Sequence, residues 1–396
     1  MIEAAAARVV ATSTSRQRAM DLVRGLVMVV MVLDHTRDFY FGFRVDPTDL
    51  AETWPFLFFT RWITHFCAPG FVMLAGASAY LYGRKRTARD RMRFLVTRGL
   101  WLVVLELTVV HFGWDPEPRY SFLLLQVIWA IGWSMVLLAP LSWLPPRVLA
   151  GIGLVIVALH GLLDGVHVES SGLARFAWSV VHEQHAFSPR EGLRVVVAYP
   201  LVPWVGVMAI GFAIGDLYTR EAGERLRALT VLGLASITTF VVVRGLNGYG
   251  DPEPWAPEAS PVFTLMSFLN CTKYPPSLDY LAMTLGPLLL LLAAFERFAL
   301  PERVLGVLET FGRVPLFFYV VHLYLLSLSS MAFATARWGE HAMARPPEGH
   351  GGCPEWSLPA TYAAWACAIA ILYWPSRAFA ALKERRGKDW WWLSYT

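Results

Sequence analysis

The sequence predicts an all-α protein, a polytopic transmembrane helix bundle of about ten spans with both termini cytoplasmic. Three observations carry that prediction. The 396 residues are 56% hydrophobic and only 16% charged, where a soluble domain holds about 25% charged residues. The apolar residues fall in runs of roughly 20, the length that crosses the hydrocarbon of a bilayer. Roughly two-thirds of the 34 Lys and Arg fall in connections on the side of the amino terminus, which the positive-inside rule assigns to the cytoplasm. The net charge of +4 gives no reason to expect a nucleic-acid partner. Membrane lipid is the expected surrounding.

A cytoplasmic tail is expected over 1–19, a single transmembrane domain over 20–382, and a second cytoplasmic tail over 383–396. The first span covers Met20 to Tyr40. The second, about Pro55 to Gly83, is long, and Pro69-Gly70 should kink or break it. The basic run from Arg84 to Arg93 follows. Span three covers Phe94 to Phe112. Spans four (Phe122 to Trp143) and five (Val148 to Leu163) are joined at Pro145-Pro146. A loop from Asp164 to Arg194 contains His167, His182 and His185, whose spacing is too loose for a metal site and reads as solvated. Span six (Val195 to Tyr218) is interrupted by Pro200 and Pro203, and span seven covers Leu229 to Val243. After a half-apolar stretch over 261–276 come span eight (Leu278 to Phe295), span nine (Val314 to Ala334) and span ten (Ala360 to Phe379). Trp390-Trp391-Trp392 reads as an interfacial anchor.

The first span is the anomaly. It carries Asp21, Arg24, Asp34, His35, Arg37 and Asp38, and each ionisable group inside a membrane is costly enough that its default reading is functional. Arg24 and His35 are eleven residues apart, which leaves them about 20° apart around the helix and about 16 Å apart along it. Asp38 and Asp21 lie near the same stripe, with Asp34 on its flank. Two further spans supply a histidine: His65, with Arg61 one turn away, and His322 near the middle of span nine. Interfacial snorkelling of the charges and packing roles for the histidines are the alternatives. Arg98 and Glu106 share span three about 80° apart, and Glu106 reads as a structural ion-pair partner. Lys273 and Tyr274, at the outer start of span eight, can meet an anionic substrate or face headgroups. The cysteines (Cys67, Cys271, Cys353, Cys367) show no metal or disulfide spacing, and no metal is expected. No phosphate-binding loop, dinucleotide fingerprint or nucleophile elbow is present.

Six ordered motifs carry a resemblance. Arg18 to His35 reads RAMDLVRGLVMVVMVLDH, and it is followed by RWITHFCAPGFVMLAGASAYLYGRKR (Arg61–Arg86), LQVIWAIGWSM (Leu125–Met135), YPLVPWVGVMAIG (Tyr199–Gly211), FLNCTKYPPSL (Phe268–Leu278) and GRVPLFFYVVHLYL (Gly312–Leu325). Together they resemble the bacterial heparan-α-glucosaminide N-acetyltransferase-like membrane acyltransferases over nearly the whole chain. Arg24 to His35 also fits the Arg-x10-His pattern of broader membrane O-acyltransferases, in which both residues are taken as catalytic. The lysosomal members place their catalytic histidine in the loop between the first two spans. Residues 36–60 here contain no histidine, so that role falls to His35 or His65.

The resemblance implies transfer of an acyl group, acetyl from acetyl-CoA or another acyl-CoA, to an extracytoplasmic glycan or amino sugar at the cell (inner) membrane. Arg84, Lys85 and Arg86, with Arg98, are the expected cytoplasmic docking groups for the acyl-CoA phosphates. Arg61, Lys273 and Tyr274 are expected at the acceptor. His35 is expected to act as general base, with Asp34 or Asp38 orienting its ring and Arg24, His65 and His322 beside it. A transporter or flippase that uses the same buried groups as a proton relay is the alternative from another class. Sidedness is directly testable: a reporter fused after Thr396 should report cytoplasm and one inserted near Glu348 the outside. Both reporters on one side would overturn the ten-span count.

Overall fold

The computed structural model describes residues 2–41, 45–116, 118–169, 172–298, 301–339, 356–386 and 389–390, with side chains from Arg18 onward. Cys353, Glu348, Trp391, Trp392 and Thr396 lie outside the described residues. Among the described residues seven helices are long and apolar enough to cross a membrane: Pro55–Gly83, Ala88–Trp114, Pro146–Leu163, Ala222–Leu246, Leu278–Arg297, Pro315–Trp338 and Leu358–Arg386. They coincide with seven of the ten expected spans. Val127–Leu141 and Leu201–Leu217 are apolar but shorter, because the ends of spans four and six turn out to be extended. Phe122–Leu125 pairs parallel with Leu193–Val197, which pairs antiparallel with His185–Arg190. This three-stranded sheet departs from the all-α expectation. Phe122–Leu125 and residues 195–197 read as helix because they abut apolar helices, while His185–Arg190 falls in the expected connection between spans five and six. The first helix, Ile2–Thr36, is too rich in charge to count by composition.

The chain packs as two compact units, one of residues 1–67, 256–270 and 298–396, the other of 68–255 and 271–297. In the first unit, the opening helix lies against Glu302–Arg313. The crossing is set by two glycines facing each other's backbone: a Cβ on Gly25 would stand 1.9 Å from the Leu308 carbonyl oxygen, and one on Gly312 would stand 1.8 Å from that of Asp21. Only hydrogen can occupy either position. At one end of this contact Arg18 pairs with Glu302 at 2.5 Å and with Glu309 at 2.9 Å, and the Arg18 guanidinium holds the Glu302 carboxyl below its ordinary range. Farther along, Trp365 Nε1 donates to the Val29 carbonyl at 2.9 Å and draws in Leu358–Arg386. Beyond Thr36 the helix widens to a π-turn over Arg37–Phe41. There Tyr40 donates to Ser329 Oγ at 2.7 Å and Ser330 donates to the Phe39 carbonyl at 2.6 Å. These bonds lay Pro315–Trp338 alongside the opening helix.

The break expected at Pro69-Gly70 occurs a turn earlier, as a 3-10 turn over Ile63–Phe66. Proline has no N–H to offer the carbonyl four residues back, so the ladder fails at His65 rather than at Pro69 itself.

The second unit includes three helix pairs, Ala88–Leu105 with Val127–Leu141, Pro146–Leu159 with Leu201–Leu217, and Ala222–Leu246 with Leu278–Arg297, and the helix ending at Gly83 crosses Leu201–Leu217 at Gly76 and Gly211. Each pair crosses at facing glycines, Gly99 with Gly132, Gly153 with Gly206, and Gly233 with Gly286. Small residues of this kind let apolar helices approach where no hydrophobic force drives them together. Among the described residues Glu106 meets no basic partner of the kind expected. Its Oε2 accepts from the Trp129 amide at 3.1 Å, with the Gln126 and Ile128 amides alongside. The carboxyl therefore caps the amino end of Val127–Leu141, where four amides lack helical partners. Among the described residues Cys67, Cys271 and Cys367 are not bridged to one another. Burial, with Asp251 beside it, pushes the Cys271 thiol up.

The glycine crossing gives a stability prediction. Gly25→Ala forces its Cβ into the Leu308 carbonyl and should cost about 1–3 kcal/mol, as overpacking does. Gly151→Ala, with nothing within 4 Å of its Cβ, should be neutral or stabilising. Thermal unfolding in detergent compares the two, and equal midpoints would remove the close crossing as a constraint.

Candidate active site

The two clamps of the first unit, glycines at one end and the Tyr40, Ser329 and Ser330 bonds at the other, bring His35 against His322. Their ring nitrogens, His35 Nδ1 and His322 Nε2, stand 2.7 Å apart, with ring planes within 13°. His322 is fully buried, and its Nδ1 lies 3.1 Å from the carbonyl oxygen of Phe318, one turn back on its own helix. That carbonyl can only accept, so His322 Nδ1 carries the proton and its Nε2 carries the lone pair. His35 Nδ1 must then donate to His322 Nε2. The lone pair of His35 is thereby fixed on Nε2. Tyr319 is buried next to the pair, its ring 5.4 Å from that of His322 and 6.2 Å from that of His35, edge-on to both.

The carboxylates expected to orient His35 are engaged by guanidinium groups. Asp34 Oδ2 meets Arg61 at 2.5 Å and its Oδ1 meets Arg37 at 3.1 Å. Asp38 meets the same Arg37 at 2.5 Å. Two carboxylates and two guanidinium groups make a compact, charge-balanced cluster whose side chains are at most 16% exposed. The imidazole of His322 thus stands at Nδ1 of His35, where a carboxylate was expected. The histidine was legible as a candidate. Its role was not, because a helical wheel says nothing of which neighbouring helix faces it. Arg37 was visible only as one of several charges, and the structure makes it the hub of the cluster.

Arg24 belongs to the other end of the helix. It donates to Asp21 at 2.7 Å and to the Gly312 carbonyl at 2.9 Å, beside the glycine crossing and about 16 Å along the axis from His35. His65 is buried in the 3-10 turn. With three residues per turn there, the i, i+4 facing expected of Arg61 and His65 does not apply, and Arg61 reaches Asp34 instead.

In the second unit, Arg84, Lys85 and Arg86 are exposed in the turn before Ala88–Leu105, Arg86 lying 4.1 Å over the Tyr82 ring. Arg98 lies 5.9 Å from the Phe94 ring. Arg91, in the same basic run, is committed to Ser142, whose carbonyl it holds at 2.6 Å. Lys273 stands 5.1 Å over the Tyr274 ring, which meets Tyr199 edge-on at 5.3 Å. The turn carrying Lys273 and Tyr274 is shaped by Asp251, which accepts from the Thr272 amide and hydroxyl, both at 2.8 Å, and from the Ser277 hydroxyl at 2.5 Å.

The reading of His182 as a solvated loop residue is overturned. It is 2% exposed and its Nε2 lies 2.8 Å from Asp164, because Leu173–Val181 forms a helix within the expected loop and ends at His182. His167 is exposed, with Nδ1 3.4 Å from Glu183.

Seven described helices of spanning length and apolarity suit a multi-pass helical membrane protein, and within its first unit a part-buried and a buried histidine meet beside a cluster of paired charges. The family described as heparan-alpha-glucosaminide N-acetyltransferase, catalytic, matches residues 16–247, well over half of the chain, and the protein belongs to that family. No curated protein matches the chain. The matched segment includes Asp34, His35, Arg61 and His65; His322 lies beyond it.

The charge cluster predicts a coupled stability effect. Removing one partner of a buried ion pair costs about 3–5 kcal/mol because the other charge is stranded. Arg61→Met should therefore destabilise strongly, and Arg61→Met combined with Asp34→Asn should cost less than the two single changes added together. Additive losses in unfolding midpoint would show that Arg61 and Asp34 do not act as a pair.

Proposed function

We propose that the chain is a transmembrane acyltransferase that moves an acyl group, acetyl in the simplest case, from cytoplasmic acyl-CoA to the amine or hydroxyl of an extracytoplasmic sugar. Family membership supports an N-acetyl transfer. The single observation that carries the mechanism is the histidine pair. A lone pair fixed on His35 Nε2 suits that atom to take the proton of the attacking amine or hydroxyl. As His35 becomes imidazolium, its Nδ1–H bond to His322 Nε2 becomes charge-assisted and strengthens. His322 so fills the place that a carboxylate fills in a hydrolase triad, holding the tautomer and sharing the developing charge.

Attack of the acceptor on the thioester carbonyl gives a tetrahedral oxyanion. Its collapse breaks the carbon–sulfur bond, and the thiolate of CoA leaves and takes back the proton from His35 Nε2. The variant with an acyl-histidine uses the same lone pair as nucleophile. The Arg37 and Arg61 cluster has a supporting part: it balances Asp34 and Asp38 so that His35 takes its proton next to a neutral cluster. Arg84, Lys85 and Arg86 remain the proposed contacts for the donor phosphates, with Arg98 behind them. Lys273 and Tyr274 remain the proposed acceptor contacts.

The test is acetyl-CoA turnover by the purified chain against a panel of cell-envelope amino sugars. His35→Gln keeps size and hydrogen bonding but not basicity, and should lower turnover by about 10² to 10⁴-fold. His65→Gln should keep most of it. Near-normal turnover by a monodisperse His35→Gln protein, with loss in His65→Gln, would transfer the base to His65.

A further inference from the structure

We propose a second site in this chain, a zinc site made by His160, Asp164 and His182 in the second unit. His160 opens the 3-10 turn His160–Leu163 at the end of Pro146–Leu159, and Asp164 follows that turn. His182 closes the short helix Leu173–Val181. One ligand atom from each of the three side chains lies within 4.8 Å of the others, and the two imidazole rings are 5.7 Å apart at 63°.

The two histidines are buried with few protein partners for their ring nitrogens. His160 is 4% exposed and His182 is 2% exposed. Neither ring nitrogen of His160 has a hydrogen-bond partner, nor does Nδ1 of His182. The Pro276 carbonyl polarises the His160 ring but stands outside hydrogen-bonding geometry. Buried polar atoms are almost always paired, and three unpaired imidazole nitrogens in one place are an exception that calls for an unseen partner. A water molecule would relieve one or two of them. A divalent cation would engage both imidazoles and the carboxylate together.

The donor set decides which cation. Two neutral imidazoles and one carboxylate match the His, His, carboxylate sets of zinc sites that keep a fourth position for water. Imidazole-rich sets disfavour magnesium and calcium, which take oxygen. Zinc ligands at 2.0–2.1 Å stand about 3.4 Å from each other in a tetrahedron, so the three groups must close by roughly 1 Å on the metal. Asp164 is the partner that can move, its side chain 28% exposed, and that exposure leaves a path for the cation and for a fourth, aqueous ligand. The metal would tie the segment after Asp164 back onto the end of Pro146–Leu159, close to the Pro276 carbonyl and the turn that carries Lys273. Sequence spacing conceals such a site, because His160 and Asp164 are at i, i+4 while His182 returns only after a separate helix.

The experiment uses the full chain purified in detergent without a polyhistidine tag, stripped with chelator and then titrated with Zn²⁺. The expected results are one tightly held zinc per chain after gel filtration, a higher unfolding midpoint with Zn²⁺, and X-ray absorption showing nitrogen and oxygen ligands near 2.0 Å. Asp164→Ala changes a part-exposed residue and should fold; it and His182→Ala should lose at least ten-fold in zinc affinity. His167→Ala, outside the cluster, should bind as the wild type does. Wild-type protein that retains less than a fifth of an equivalent, or zinc retained equally by Asp164→Ala and His182→Ala, would overturn the site. Neither result bears on acyl transfer at His35, whose assay is separate.

Discussion

The carbonyl of Phe318 already serves the helix, yet its second lone pair takes the Nδ1 proton of His322 at 3.1 Å, and the chemistry available to His35 follows from that one bond. A backbone acceptor cannot change its protonation, so the tautomer of His322 is fixed by helix geometry rather than by solvent. The pair is then a short relay with a set direction, from the Phe318 carbonyl through His322 to His35. The 2.7 Å contact between the rings requires two helices to hold register to within a few tenths of an ångström. That register comes from the glycine crossing of Gly25 and Gly312 on one side and from Tyr40, Ser329 and Ser330 on the other.

Electrostatics explains why the same helix can carry so much charge. Asp34 and Asp38 share Arg37, and Arg61 completes the balance, so no charge of this group is stranded. Arg24 is neutralised locally by Asp21 and by the Gly312 carbonyl. Buried ion pairs of this kind contribute little net stability, since desolvation offsets the attraction, but they are costly to break singly. Their effect is to fix where guanidinium and carboxylate groups lie around His35 without placing a net charge there.

Much of this was legible in the sequence, and the failures share a cause. Apolar run length located most of the helices, and charge inside the first run singled it out as the candidate functional span. His35, Asp34, Arg61 and His322 were all singled out by residue type in an apolar setting. The pairing among them was not legible, because the helical wheel orders residues around one axis and is silent about the neighbour. Hence Asp34 was matched to His35 when it meets Arg61 and Arg37, and His65 was matched to Arg61 across a turn that is not α-helical. Phe122–Leu125 and residues 195–197 read as helix because apolar composition alone cannot separate a buried strand from an adjoining span. His182 was read as solvated because a nine-residue helix inside a polar connection carries it back into the interior.

His35 presents its lone pair at Nε2 because the Phe318 carbonyl holds His322 as the Nδ1–H tautomer. Nitrogen-15 magnetic resonance of histidine-labelled protein measures this directly, with His35→Gln and His322→Gln samples assigning the signals. At alkaline pH both residues should give the pattern of a protonated Nδ1 and an unprotonated Nε2. Loss of His322 should let His35 relax toward the mixture of tautomers seen in free imidazole. A protonated Nε2 on His35 in the intact protein would contradict this assignment, because the atom assigned as the base would then carry a proton and have no lone pair to offer.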